Sequence, residues 1–191
     1  MANPHVTAAN RYAREVVAGK IAACKWVRLA CQRHLDGLKK AERKTSKYVF
    51  DVAAAENACR FVELLPHTKG KWAKTQELIV LQPWQMFIFC SIFGWKNRKT
   101  GRRRYRKAYI AVPRKNGKSI IAAGIGLYMF ACDGEFGAEV YSGATTEKQA
   151  WEVFRPAKQM VQRTPELAEA IGAEVWAKML LTPSDGSKFE P

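Results

Sequence analysis

Apolar positions run in helical stripes through the first third of the chain and in short continuous blocks after it. Val17, Ile21, Cys24, Cys31, Leu35 and Leu38 recur at spacings of three, four and seven, which predicts one long amphipathic helix from about Thr7 to Ala41. After the polar "ERKTSK" (Glu42–Lys47), a second helix is predicted over Asp51–Leu65, ended by Pro66. "HTKGKWAKTQ" reads as a loop and Leu78–Leu81 as a short strand. Pro83 suits the first turn of a helix, "PWQMFIFCSIFGW" (Pro83–Trp95).

The middle of the chain changes pattern. "KNRKTGRRRYRK" (Lys96–Lys107) is a basic connector whose Thr-Gly predicts a turn tip. "AYIAV" (Ala108–Val112) has the length and residue types of a buried strand. "IIAAGIGLYMFAC" (Ile120–Cys132) predicts a buried helix, too short to cross a bilayer. "GEFG" marks a turn, Ala138–Ser142 a second buried strand, and Thr146 with Gln149 a capping box opening a further helix. Pro156 is expected to kink or restart that helix. Strand, loop, helix, strand and helix in this order imply a βαβ unit with parallel strands. Near the end, Asp185-Gly186 between two short segments signals a hairpin.

Composition adds a core and a charge. Hydrophobic residues make up 48% of 191, enough for a packed interior. Net charge is +15, and it is uneven. Residues 61–118 carry 14 basic and 2 acidic groups, residues 119–191 only 6 against 10. That distribution points to a polyanion, with a solvated basic surface as the plain alternative. Arg14, Lys25, Arg28, Arg33 and Lys39 lie mostly off the first stripe, as a solvated face or a DNA contact. Five cysteines, none in C-x-x-C spacing and none spaced with histidine as zinc ligands, predict a reduced, cytoplasmic protein with cysteines as small core residues. The N-terminus has no apolar signal segment.

The candidate chemistry is "PRKNGKS" (Pro113–Ser119), which ends as a phosphate-binding loop ends. Gly117 lets backbone N–H groups approach phosphate oxygens, Lys118 reaches the terminal phosphates, and Ser119 offers Mg2+ a hydroxyl at a helix start. Gly-Lys-Ser or Gly-Lys-Thr arises by chance in about one chain in ten of this length. The flanking strand and helix supply the context the motif needs. Val112 stands where the usual pattern has its first glycine, and Pro113 pushes Val112 toward an extended conformation. Arg114 and Lys115 add cations that can neutralise transition-state charge or simply meet a carboxylate or solvent. Upstream, Trp84 and Gln85 read either as a helix start with a core tryptophan or as a base-contacting pair, the amide matching the edge of adenine.

Taken together, "ACKWVRLACQRHLDGL", "LQPWQMFIFCSIFGW", "RRYRKAYIAVPRKNGKS", "IGLYMFACDGEFGAEVYSGATTEKQAWEVF" and "GSKFEP" resemble the N-terminal part of the large terminase subunit of tailed bacteriophages. The resemblance implies an α/β fold: a partial RecA-like P-loop ATPase sheet over residues 67–191, with an N-terminal helical region over residues 1–66. It implies ATP and Mg2+ as cofactors, with Arg114, Lys115, Asn116, Gly117, Lys118 and Ser119 forming the loop. Lys118 matches the loop lysine, Ser119 the magnesium ligand, Arg114 the arginine sensing the γ-phosphate, and Gln85, beside Trp84, the adenine contact. It implies double-stranded viral DNA, a small terminase subunit, a portal and procapsid, and a homo-oligomeric ring as partners, in the host cytoplasm and without membrane. "SGATTEKQA" matches a stretch involved in coupling or DNA contact. No strand in the sequence ends in Asp-Glu to hold magnesium and activate water. The family places that pair, and a nuclease domain after it, beyond position 191, so the chain is expected to bind nucleotide and hydrolyse it poorly alone. The alternatives are a basic nucleic-acid-binding module with a structural Gly-Lys-Ser and, last, a kinase-like P-loop enzyme.

Overall fold

A computed structural model describes residues 3–191. They form two compact units: the chain up to Arg60 with Leu81–Ile110, and Phe61–Val80 with Ala111–Pro191.

In the first unit, helices α1 (Pro4–Val17), α2 (Lys25–Ala41) and α5 (Pro83–Gly94) pack together, and β1 (Tyr48–Phe50) pairs antiparallel with β2 (Trp95–Asn97). The single long helix expected over Thr7–Ala41 is two helices. Gly19, at φ +73°, ends the first. Its N–H donates to Val16 O (3.2 Å) and that of Lys20 to Glu15 O (2.9 Å), the bond pair of a Schellman stop. The buried stripe moves accordingly, to Val6, Ala9, Ala13 and Val16 on α1 and Cys31, His34 and Gly37 on α2, while Val17 is exposed.

Helix α3 (Val52–Glu63) starts where Asp51 accepts from the Ala54 N–H at 3.0 Å. From α3, the buried Glu56 carboxylate caps α1: it accepts from the Val6 N–H (3.2 Å) and meets His5 Nδ1 at 2.6 Å. Burial pushes this carboxyl up, but the His5 ring and the α1 N–H groups outweigh that and hold it below its usual range. Helix α5 starts at Pro83 as expected and is apolar all round, so Phe87, Phe89, Cys90 and Phe93 are buried. Gly94 sits so close to Phe50 that a Cβ would lie 2.6 Å from its ring.

The second unit has a four-stranded sheet in the order β3 (Glu139–Tyr141), β6 (Ser187–Glu190), β5 (Leu180–Thr182), β4 (Glu174–Val175). β3 and β6 run parallel and the other pairs antiparallel. The Asp185-Gly186 hairpin forms as expected: Asp185 accepts from the Ser187 N–H at 2.8 Å and Gly186 takes φ +75°. Helix α6 (Lys118–Ala131) packs on β3 and β6 and on helix α7 (Glu147–Gln162). Gly126 permits the close approach, since a Cβ there would lie 2.7 Å from the Phe189 ring. The short helices α4 (Gly70–Lys74) and α8 (Pro165–Ala170) complete the unit.

The fold is thus mixed α/β, in keeping with an α/β ATPase domain. Four local expectations need correction. Ala108–Val112 is extended but joins no sheet among the described residues, and Tyr109 is 95% exposed. Strand-forming residue types do not make a strand without a ladder partner. Leu78–Leu81 forms only an isolated bridge, Pro66 to Leu78, because Pro83 follows two residues later and turns the chain into α5. Pro156 lies inside a continuous α7, so the helix does not restart there; Ala150, Phe154, Ala157, Met160 and Val161 bury one face on both sides of the proline and hold the helix together. Cys24 and Cys132 are exposed, at helix ends outside the apolar faces, whereas Cys31, Cys59 and Cys90 are buried.

Candidate functional site

The loop from Val112 to Ser119 belongs to the second unit and opens α6. Gly117 is the N-cap residue, in the left-handed region at φ 72° and ψ 18°. Its carbonyl accepts the first helical hydrogen bond, from the Ile121 N–H at 2.9 Å. Lys115 is also left-handed, at φ +67°, a conformation that costs a side-chain-bearing residue about 1 kcal/mol or more. Left-handed backbone at 115 and 117 curls the chain into a tight concave turn. Asn116 braces that turn, its Nδ2 donating to Arg114 O (3.2 Å) and Pro113 O (3.3 Å).

Lys118 folds back across the turn. Its Nζ donates to the Val112 carbonyl at 2.8 Å, joining the loop's first residue to its last. The ammonium is thereby tied to the loop's own start rather than released to solvent. Arg114, Lys115, Asn116 and Lys118 are exposed, and Gly117 and Ser119 half-exposed, so the loop is open to solvent. The first-turn N–H groups of a helix have no partner within it. An open helix N-terminus, the lysine that begins it and a hydroxyl at Ser119 form a donor set for a polyphosphate.

Val112, which stands where the usual motif has its first glycine, supplies the carbonyl that positions Lys118, a role the sequence pattern does not show. The left-handed Lys115 had no sequence signal either, because glycine or asparagine is the residue that normally advertises such backbone.

Trp84 and Gln85 lie in the first unit, in the first turn of α5, both half-buried. Gln85 Oε1 accepts from the Gln82 backbone N–H at 2.8 Å, so the amide caps the helix and leaves its NH2 group as donor. The stretch from Ser142 to Ala150 follows β3 and starts α7. Ser142 Oγ donates to Ala150 O (3.0 Å), and Thr146 Oγ1 caps the Gln149 N–H (3.3 Å). The Gln149 side chain bonds Thr145 rather than closing the expected capping box.

The connector Lys96–Lys107 divides its charges. Its Thr100-Gly101 tip forms as expected, with Gly101 at φ +69°. Lys96 pairs with Asp51 at 2.8 Å, Arg98 donates to the carbonyls of Ala41 (2.9 Å) and Ser46 (3.1 Å), and Arg103 and Arg104 lie over aromatic rings. Lys99, Arg102, Arg106 and Lys107 are exposed and make no ion pair among the described residues. Lys96 and Arg98 are thus tied to the fold, Arg103 and Arg104 stand against rings, and the other four are exposed to solvent. Among the described residues no three His, Cys, Asp or Glu side chains converge as a metal cage, and no helix is long and apolar enough to cross a membrane.

No curated protein and no solved structure matches this chain. A family model does: the one described as terminase large subunit, ATPase domain, matches residues 83–180, just over half of the sequence.

Proposed function

This chain belongs to the terminase large-subunit ATPase family, and we propose that the loop Arg114–Ser119 is its ATP site, serving a motor that drives double-stranded DNA into a procapsid. The observation that carries the reading is the loop itself: a left-handed Gly117 opening α6, with Lys118 drawn back onto Val112. The residues fit a magnesium-bound triphosphate. Backbone N–H groups at the start of α6 would hold phosphate oxygens, and Lys118 would exchange the Val112 carbonyl for β/γ-phosphate oxygens. Ser119 would hold Mg2+, whose other ligands would come from phosphates and water. When bound, ATP·Mg2+ supplies the phosphoryl group whose transfer to water drives the motor.

Arg114, exposed at the loop's start, would meet the γ-phosphate, where a guanidinium offsets developing charge. Lys115 and Asn116 shape the turn rather than react. The Gln85 NH2 group remains available as a donor while its oxygen caps α5. A RecA-like sheet, the small subunit and portal as partners, a ring of subunits and action in the host cytoplasm belong to the same reading. Among the described residues no Asp-Glu pair ends a strand.

The four free connector cations favour a second reading, a nucleic-acid-binding module in which Gly-Lys-Ser is only a helix cap. Titrating a fluorescent ATP analogue with Mg2+ into the parent and Lys118→Ala separates the two. The ATPase reading expects parental binding to drop at least tenfold in the variant. Equal affinities, or binding by neither, would leave only the second.

A further inference from the structure

A cavity of about 360 Å3 lies wholly within the first unit, between α2 and the β1–β2 pair. Its size is in the range of small-ligand sites. Trp95 lies behind its lining and is 1% exposed. The indole is fixed: Nε1–H donates to His34 Nδ1 at 3.0 Å, and His34 Nε2 meets Asn10 Oδ1 at 2.7 Å. Gly37 makes room for it, since a Cβ there would lie 2.8 Å from the Trp95 ring.

Arg104 lines the wall. Its guanidinium stands 4.6 Å from the Tyr48 ring centroid, 5.0 Å from Tyr105 and 5.3 Å from Trp95. Contact with aromatic rings leaves a guanidinium's N–H groups able to donate to an anion. It is half-buried and makes no ion pair among the described residues. Arg33, held 4.9 Å over the Tyr105 ring, and Lys40 line the same cavity and are equally unpaired. The lone acid on the wall, Asp36, is engaged by Gln32 Nε2 at 2.9 Å. A guanidinium set among three rings, two further cations and a half-exposed tyrosine match a ligand that carries both a phosphate and a flat ring.

The geometry points to this cavity as a nucleotide-binding pocket separate from the phosphate loop: Arg104, Arg33 and Lys40 take a phosphate, and the half-exposed Tyr48 borders the base. The nucleotide is either a unit of a DNA strand or free in solution. The inference rests on the proposed function only in taking nucleic acid as partner.

The test uses the full chain, a fluorescein-labelled single-stranded DNA 12-mer, and AMP. Arg33→Gln/Lys40→Gln changes two exposed side chains, so the fold should stand. Asp36→Asn removes the opposing carboxylate, and a gain in affinity cannot arise from misfolding. The 12-mer is expected to bind roughly tenfold more weakly to the double variant and more tightly to Asp36→Asn, with Lys118→Ala unchanged; that result makes a strand the source. The same pattern for AMP and not for the 12-mer makes a free nucleotide the source. If neither ligand responds to the double variant and Asp36→Asn, or if binding depends on Lys118 alone, the pocket is overturned. Loss of ATP-analogue sensitivity to Lys118→Ala would sink the ATPase reading without touching this one.

Discussion

His34 should make the first unit sensitive to mild acid. The ring is 2% exposed and packed edge-on against Phe50, Phe87 and Trp95. Its Nδ1 accepts from the Trp95 indole, so Nε2 carries the proton toward Asn10. A second ring proton would remove the acceptor from a buried indole and place a charge among aromatics. Burial accordingly drives the His34 pKa down from 6.5 to about 4. The unfolded chain takes up this proton near pH 6.5 and the folded chain only near pH 4. Between these values the unfolded state binds more protons, so stability falls as pH drops through the window and levels off below it. At 1.36 kcal/mol for each tenfold, the loss is about 3 kcal/mol. Urea unfolding of the parent and His34→Gln, from pH 7.5 to 4 at constant ionic strength, isolates this contribution, because carboxylates such as Glu56 titrate alike in both. The variant should be the weaker protein at pH 7.5, without the packing of the imidazole among the three rings, and the gap should close by about 3 kcal/mol toward pH 4. Two parallel stability curves would refute the reasoning.

Other outcomes follow from the same packing and loop geometry. Gly117→Ala forces a Cβ into left-handed backbone and should cost about 1–2 kcal/mol, while ATP-analogue affinity falls with helix content unchanged by circular dichroism. Gly126→Ala drives a methyl into the Phe189 ring and should lower stability by about 1–3 kcal/mol in chemical denaturation, whereas Gly101→Ala, with open space around it, should cost only its positive-φ strain. Glu56→Gln leaves the start of α1 without its carboxylate and should cost about 3 kcal/mol at pH 7, with faster amide exchange at Val6. Replacing Arg102, Arg106 and Lys107 by glutamine should flatten the salt dependence of DNA affinity, by about one unit of slope for each phosphate these cations neutralise, leaving the melting temperature in place; an unchanged slope would mean those cations face solvent only.

What could be read from the sequence were features that local chemistry decides. Pro83 at the start of α5, the Thr100-Gly101 tip, the Asp185-Gly186 hairpin and the apolar α6 each depend on a few adjacent residues. The misses depend on partners. The stripe from Val17 to Leu38 kept a helical period across Gly19, because two helices separated by a short turn can imitate one. "AYIAV" has the composition of a strand, but pairing is a property of the neighbour. Pro156 stays helical because the buried face on either side of it outweighs one missing hydrogen bond. At the loop, Gly117, Lys118 and Ser119 were visible as a motif. The bond from Lys118 to Val112 was not, since it needs the left-handed turn at Lys115 that no residue type announces.

The central claim, that Arg114–Ser119 grips a nucleotide's phosphates, is tested most directly by amide hydrogen exchange with and without ATP and Mg2+. The account predicts slowed exchange concentrated at residues 114–121 in the parent and none there in Lys118→Ala. Protection that falls elsewhere, or that persists in Lys118→Ala, would contradict it.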